Sequence, residues 1–195
     1  MTVGIPLAGF ADAVHDAQST FRAVLDALAR PARAVTVPAT PDGPAELTAA
    51  ARAVLLALCD EATPLWLNER TPELEAWLSF HTGAPLADDL RDAAFAVVSA
   101  PAALPGLRDF AQGTDETPHR SATVIVVDAE GLPGETYLAD GPGFEHPLRW
   151  MAPPFAAGFA EQWAANHARF PRGVDLIIAG AASVTGLPRT TRLER

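Results

Sequence analysis

A chain of 195 residues with 49% hydrophobic and 19% charged residues is long enough to bury a sizeable core and too apolar to be disordered. Its formal net charge of -10 argues against a protein whose work is to neutralise nucleic-acid phosphates. Every one of its 14 Lys-plus-Arg positions is Arg, which excludes Schiff-base chemistry with pyridoxal phosphate and the lysine of a phosphate-binding P-loop, and a single cysteine, Cys59, excludes an intrachain disulfide and a zinc or iron–sulfur site built from this chain's cysteines.

No stretch approaches the roughly 18 apolar residues of a membrane span, and residues 1–11 lack the positive region that opens a secretory signal. The expectation is one α/β domain over residues 1–195, in the cytoplasm, with no membrane or nucleic-acid partner. The first helix is expected over 12–30, with Phe21, Val24, Leu25 and Leu28 on one apolar stripe, Asp12 or Asp16 capping its start and Pro31 stopping it. A short strand at 34–37 and a loop at 40–44 lead to an Ala- and Leu-rich helix over 47–59, which carries Cys59 as a small core residue. Residues 64–67 read as the next strand. Thr71-Pro72-Glu73 then opens a helix by supplying a capping hydroxyl, a proline at the first helical position and an acid facing the positive helix end. That helix runs to about Phe80 and ends near His81 and Gly83.

Residues 94–99 and 121–127 are rich in β-branched and apolar residues and read as core strands, with a short helix between them over 104–111. A further strand over 137–140 ends in Gly141-Pro142-Gly143-Phe144, whose glycines allow close approach to a ligand but lack the G-x-G-x-x-G spacing of a nucleotide loop. A last helix is expected over 153–169, with Phe155, Phe159 and Trp163 at i, i+4 and i+8. It feeds Phe170-Pro171-Arg172-Gly173 and a strand over 174–179 that is apolar on both faces except at Asp175, the pattern of a strand in the middle of a covered sheet. A carboxylate there needs a partner, so Asp175 is expected to be a structural hydrogen-bond acceptor. The alternation of strand and helix predicts a layered α/β sandwich with a mostly parallel or mixed central sheet.

The five histidines, His15, His81, His119, His146 and His167, show no local metal-ligand spacing, and no G-x-S-x-G elbow is present. What remains is an anion-handling patch of the kind His81, Arg189 and Thr190 would form, working beside a partner chain, or a scaffold that fixes other proteins, or, on less, a self-sufficient enzyme or binding protein for a phosphorylated small molecule. The polar turn Pro188-Arg189-Thr190-Thr191 is open to an ordinary surface reading as well.

Several stretches in order along the chain resemble the PhnH subunit family of the bacterial carbon–phosphorus lyase system. They are Asp16-Ala17-Gln18 with Phe21-Arg22 and Leu25, Thr63-Pro64-Leu65-Trp66-Leu67, Phe80-His81-Thr82 with Ala84-Pro85-Leu86, Phe170-Pro171-Arg172-Gly173-Val174-Asp175-Leu176 and Leu187-Pro188-Arg189-Thr190-Thr191. The resemblance implies a fold similar to the large domain of pyridoxal-phosphate-dependent transferases without that cofactor, a homodimer in isolation, and a place beside the other subunits of the lyase core complex. That complex uses ATP: it joins a phosphonate to the ribose, displaces adenine, and yields a ribose 1-phosphonate 5-triphosphate that a radical iron–sulfur partner cleaves. The resemblance transfers no established catalytic role to this chain, so His81, Arg189 and Thr190 stand as candidates for contact with an anion, and Gln18, Arg22 and Asp175 as further motif residues. Two departures are Gly83 within the Phe80–Leu86 motif and Phe144, where a smaller aliphatic is common.

Overall fold

The computed structural model describes residues 9–195; the first eight residues, part of the stretch judged to lack a secretory signal, lie outside them. The elements in chain order are α1 (Ala13–Ala29), β1 (Ala34–Thr36), α2 (Ala49–Leu58), β2 (Leu65–Leu67), α3 (Pro72–Thr82), β3 (Phe95–Val98), β4 (Thr123–Val127), β5 (Thr136–Asp140), β6 (Leu148–Met151), α4 (Phe159–His167), β7 (Asp175–Ala179), β8 (Ser183–Leu187) and β9 (Arg192–Glu194). Six strands form the central sheet in the order β1-β8-β7-β4-β3-β2, and β6-β5-β9 form a second, antiparallel sheet. Strands β2, β3, β4 and β7 run parallel, while β8 is antiparallel to both β7 and β1, so the central sheet is mixed. Its long connections follow the parallel pairing, since a parallel neighbour can be reached only by a crossover.

Alternation along the strands divides the interior in two. Val97, Ile125, Val127, Ile177, Ala179 and Val184 face α1, α2 and α3. Ala96, Val98, Val124, Val126, Leu176 and Ile178 face the opposite side, where they meet α4, the second sheet and the large rings of Phe110, Tyr137, Trp150, Phe159 and Trp163. The central strands therefore read as continuous apolar runs because both faces are covered.

The helix ends match the sequence signals. Asp12 Oδ1 accepts the amides of Val14 and His15 at 3.1 Å, and Asp16 answers by accepting the amide of Asp12 at 3.0 Å. Thr71 caps α3 by accepting the Leu74 amide, Pro72 occupies the first turn, and Gly83 ends the helix in a left-handed conformation.

Other expectations need correction. The apolar stripe on α1 is split: Val24 is buried and Leu28 partly so, but Phe21 and Leu25 are exposed, and the face against the sheet is made of Thr20, Ala23, Val24 and Ala27. Small residues win there because α1 lies directly on β8, so close that a Cβ on Gly186 would meet the Ala27 carbonyl oxygen at 2.5 Å. No α-helix forms over 104–111; that segment makes a tight turn at Leu107–Asp109. The helix expected from residue 153 starts only at Phe159, directly after Gly158, whose left-handed backbone (φ 87°) cannot be part of the helix; Phe155 nevertheless stacks on Phe159 at 3.9 Å. Strands β6, β8 and β9 were not foreseen. Among the described residues, no helix is long and apolar enough to cross a membrane.

Replacing Gly186 by Ala should cost about 1–3 kcal/mol, because its new methyl meets backbone that cannot turn aside. A urea denaturation midpoint unchanged from that of the unmodified protein would show that α1 does not lie on β8 as described.

Candidate functional site

The turn after β8 carries a heavily bonded polar group. Residues 188–191 close on themselves, with the Thr191 amide donating to the Pro188 carbonyl at 2.8 Å. This turns the Arg189 side chain back across the ends of β4 and β7. Its Nε donates to Asp175 Oδ1 at 3.1 Å and Nη2 to Asp175 Oδ2 at 2.6 Å, while its backbone amide reaches Oδ1 at 2.7 Å. Nη1 donates to the carbonyls of Pro118 and Pro171 at 3.3 and 3.1 Å, and Nη2 also reaches the Ser121 hydroxyl.

All five guanidinium hydrogens thus have acceptors within the chain. The pair is largely sequestered, with the two side chains 12% and 22% exposed. Asp175 is the structural acceptor the sequence suggested. Arg189 is spent on tying together the approach to β4, the 170–173 turn, the start of β7 and the 188–191 turn; an incoming anion would have to displace its carboxylate.

Immediately outside this knot lies a groove of about 350 Å³ lined by Gly141, Pro142, His167, Phe170, Thr190 and Arg192. His167 Nδ1 is 2.9 Å from the Arg189 carbonyl, which can only accept, so that nitrogen carries the hydrogen and Nε2 is left as the other ring position. Arg192 pairs with Asp140 at 2.8 Å. The Gly141 amide and then Arg192 hold the Asp140 carboxyl below its ordinary pKa. Phe170, 62% exposed, stands at the side. The glycine turn expected to approach a ligand approaches the chain instead: a Cβ on Gly141 would press on the Thr190 carbonyl at 2.8 Å, and one on Gly143 on the Ala29 carbonyl at 2.3 Å. Thr190 is the one sequence candidate that lines the groove. Its neighbours His167, Phe170 and Arg192 were missed as a set because three separate segments supply the lining. The closeness of His167 to the Phe170-Pro171-Arg172-Gly173 motif was the available signal.

His81 is placed elsewhere and is not part of the Arg189 cluster. Its ring lies in the last turn of α3, 5.0 Å from that of Trp77 and 4.9 Å, edge on, from that of Phe80. Gln18 and Arg22 share the exposed face of α1 with Val14, Phe21 and Leu25, a third location. Cys59 follows α2, and burial first, then the charge of Asp60, pushes its thiol up to about 12. Among the described residues no group of three or more His, Cys, Asp or Glu is arranged to hold a metal ion.

These features define a three-layer mixed α/β protein with a neutralised internal ion pair, an open groove beside it and an exposed helix face bearing motif residues. The chain belongs to the bacterial phosphonate metabolism protein (PhnH) family, whose profile matches residues 8–194. It is 42% identical over 189 residues to the alpha-D-ribose 1-methylphosphonate 5-triphosphate synthase subunit PhnH of Rhizobium meliloti (strain 1021), covering 95% of this chain and 94% of that one. It is also similar, at 33% identity over 81 residues and 42% of each chain, to HtxG of Stutzerimonas stutzeri, named as a candidate C-P lyase subunit protein.

Arg189→Ala should lower unfolding free energy by about 3 kcal/mol or more, because it leaves the partly buried Asp175 carboxylate without its fork. Arg189→Lys should recover little of this, since an ammonium cannot serve five fixed acceptors; wild-type chemical stability in the Lys variant would refute the clamp. For Cys59, alkylation by iodoacetamide at pH 8 should be negligible in the folded chain and rapid in urea. Fast labelling under native conditions would contradict its burial.

Proposed function

We propose that the chain is a subunit of ribose 1-methylphosphonate 5-triphosphate synthase, acting in organic phosphonate catabolism in the cytoplasm. Nearly end-to-end similarity to the Rhizobium meliloti subunit carries this reading, because it spans the α1 face, the α3 terminus and the Arg189 turn together. In it the chain works with other subunits of the carbon–phosphorus lyase core complex, which uses ATP, and forms a homodimer when isolated. A likeness to the large domain of pyridoxal-phosphate-dependent transferases belongs to the same reading and is compatible with the mixed central sheet. The chain itself has no lysine to hold that cofactor and too few cysteines for an iron–sulfur cluster, so chemistry of either kind falls to other subunits.

The interior bonding of Arg189 favours a supporting role for the knot: it shapes the groove around Thr190 and His167. The exposed, partly apolar face of α1 gives the chain a further surface carrying Gln18 and Arg22. Co-expression with the other core subunits, followed by an assay of adenine release from ATP and methylphosphonate, tests the assignment. Omission of this chain should abolish turnover or assembly, and full activity without it would overturn the assignment.

A further inference from the structure

A second groove, larger than the one beside Thr190, crosses the other side of α4. It has a volume of about 420 Å³, within the range of small-molecule sites, and separates α4 from the 106–112 segment. Arg108 and Asp109 stand on the segment wall, Glu161, Gln162 and Arg169 on the wall formed by α4 and its continuation, and Gln112 lies between them.

The arginines that follow Arg169 in the chain are all paired with acids. Arg172, Arg189, Arg192 and Arg195 each have a carboxylate partner, at 3.2, 2.6, 2.8 and 3.2 Å respectively. Arg169 instead donates Nη1 to the amide oxygen of Gln112 at 3.0 Å. That amide is itself fixed, because its nitrogen donates to the carbonyls of Leu107 and Phe110 at 2.8 and 2.9 Å. A neutral partner orients the guanidinium without cancelling its charge. Arg108, on the opposite wall, is exposed and has no carboxylate partner among the described residues. Of the two acids in the groove, Glu161 is engaged by Arg195, which leaves Asp109 as the one unpaired carboxylate. In a chain of net charge -10, two arginines facing one groove against a single unpaired carboxylate leave it locally less acidic than the chain as a whole.

We propose that this groove binds a small organic molecule through a phosphoryl or phosphonyl group held between Arg108 and Arg169. A tetrahedral group with several charged oxygens can accept from two guanidiniums on different sides, whereas a carboxylate is filled by one fork. The bound group faces Asp109 as its repulsive neighbour, and the body of the ligand lies along the α4 wall beside Gln162. The groove belongs to the isolated chain, so its occupancy is independent of the subunit assignment.

Calorimetric titration of the purified chain with inorganic pyrophosphate, ATP and tricarballylate, in low salt, tests this. Pyrophosphate and ATP should bind with Kd below about 1 mM. Arg108→Glu should weaken both by about tenfold or more, with the melting temperature held within about 2 °C, since its side chain is exposed and has no partner to lose. Arg169→Gln should weaken them as well, and Asp109→Asn should tighten them about threefold by removing the like charge. Absence of binding by both phosphoryl probes, or affinity unaltered in Arg108→Glu, would overturn the site. Tricarballylate bound as tightly as pyrophosphate and lost equally in Arg108→Glu would overturn the phosphoryl class. These readouts need no partner subunit, so they fail or succeed separately from the adenine-release assay.

Discussion

The bond between Arg189 and Asp175 fixes where the two sides of the molecule meet. Asp175 opens β7, the strand that lies between β4 and β8 in the central sheet, and Arg189 follows β8. One planar group reads the carboxylate, two carbonyls and a hydroxyl at once, which sets the approach to β4, the entry to β7 and the exit from β8 in a single geometry. From that exit the chain enters β9, which pairs with β5 and so anchors the second sheet. Trp163 reinforces the junction by donating its ring N–H to the Thr191 carbonyl at 2.8 Å. A partly buried pair of this kind gains little over well-packed hydrophobic residues in net stability, whereas losing one partner leaves the other charge uncompensated and is costly.

Much of the fold was legible because local chemistry and tertiary context agreed. The cap at Thr71, the stop at Gly83, the capping pair at Asp12 and Asp16 and the apolar strands over 123–127 and 175–179 each follow from residues near in sequence. Misreadings arose where the deciding partner was distant. Phe21 and Leu25 have the spacing of a buried stripe, yet close packing of α1 on Gly186 selects the small residues instead. Strand β8 was obscured because Ser183, Thr185 and Gly186 carry a weak apolar signal, and its identity rests on pairing to β7 on one side and β1 on the other.

The candidate site divides in the same way. Asp175 was predicted as an acceptor because an isolated carboxylate in an apolar strand demands a partner, an argument that needs no structure. That its partner is Arg189 required the turn geometry, and the same geometry removed Arg189 from the set of free cations. His81, Thr190 and the pair Gln18 and Arg22 occupy three separate places, so motif membership did not imply proximity. Helix α4 supplies side chains to two grooves, with His167 on one side and Gln162 and Asn166 on the other, and the buried Asn166 amide pins it by bonding both the amide and the carbonyl of Val174 at 2.9 Å.

The side-chain composition also has a bearing on alkaline solution. Tyr137, the chain's one tyrosine, donates its hydroxyl to Glu135 at 2.7 Å, and burial raises it, like Cys59, to about 12. The chain has no lysine, so Cys59 and Tyr137 are the side chains other than arginine whose ordinary range lies in alkaline solution. The unfolded chain releases both protons near their ordinary values of 9.0 and 10.0. It therefore binds fewer protons than the native state above about pH 9, and stability declines from there toward pH 12. Alkaline solution thus draws on the protein from both sides of the central sheet, through Cys59 on one and Tyr137 on the other.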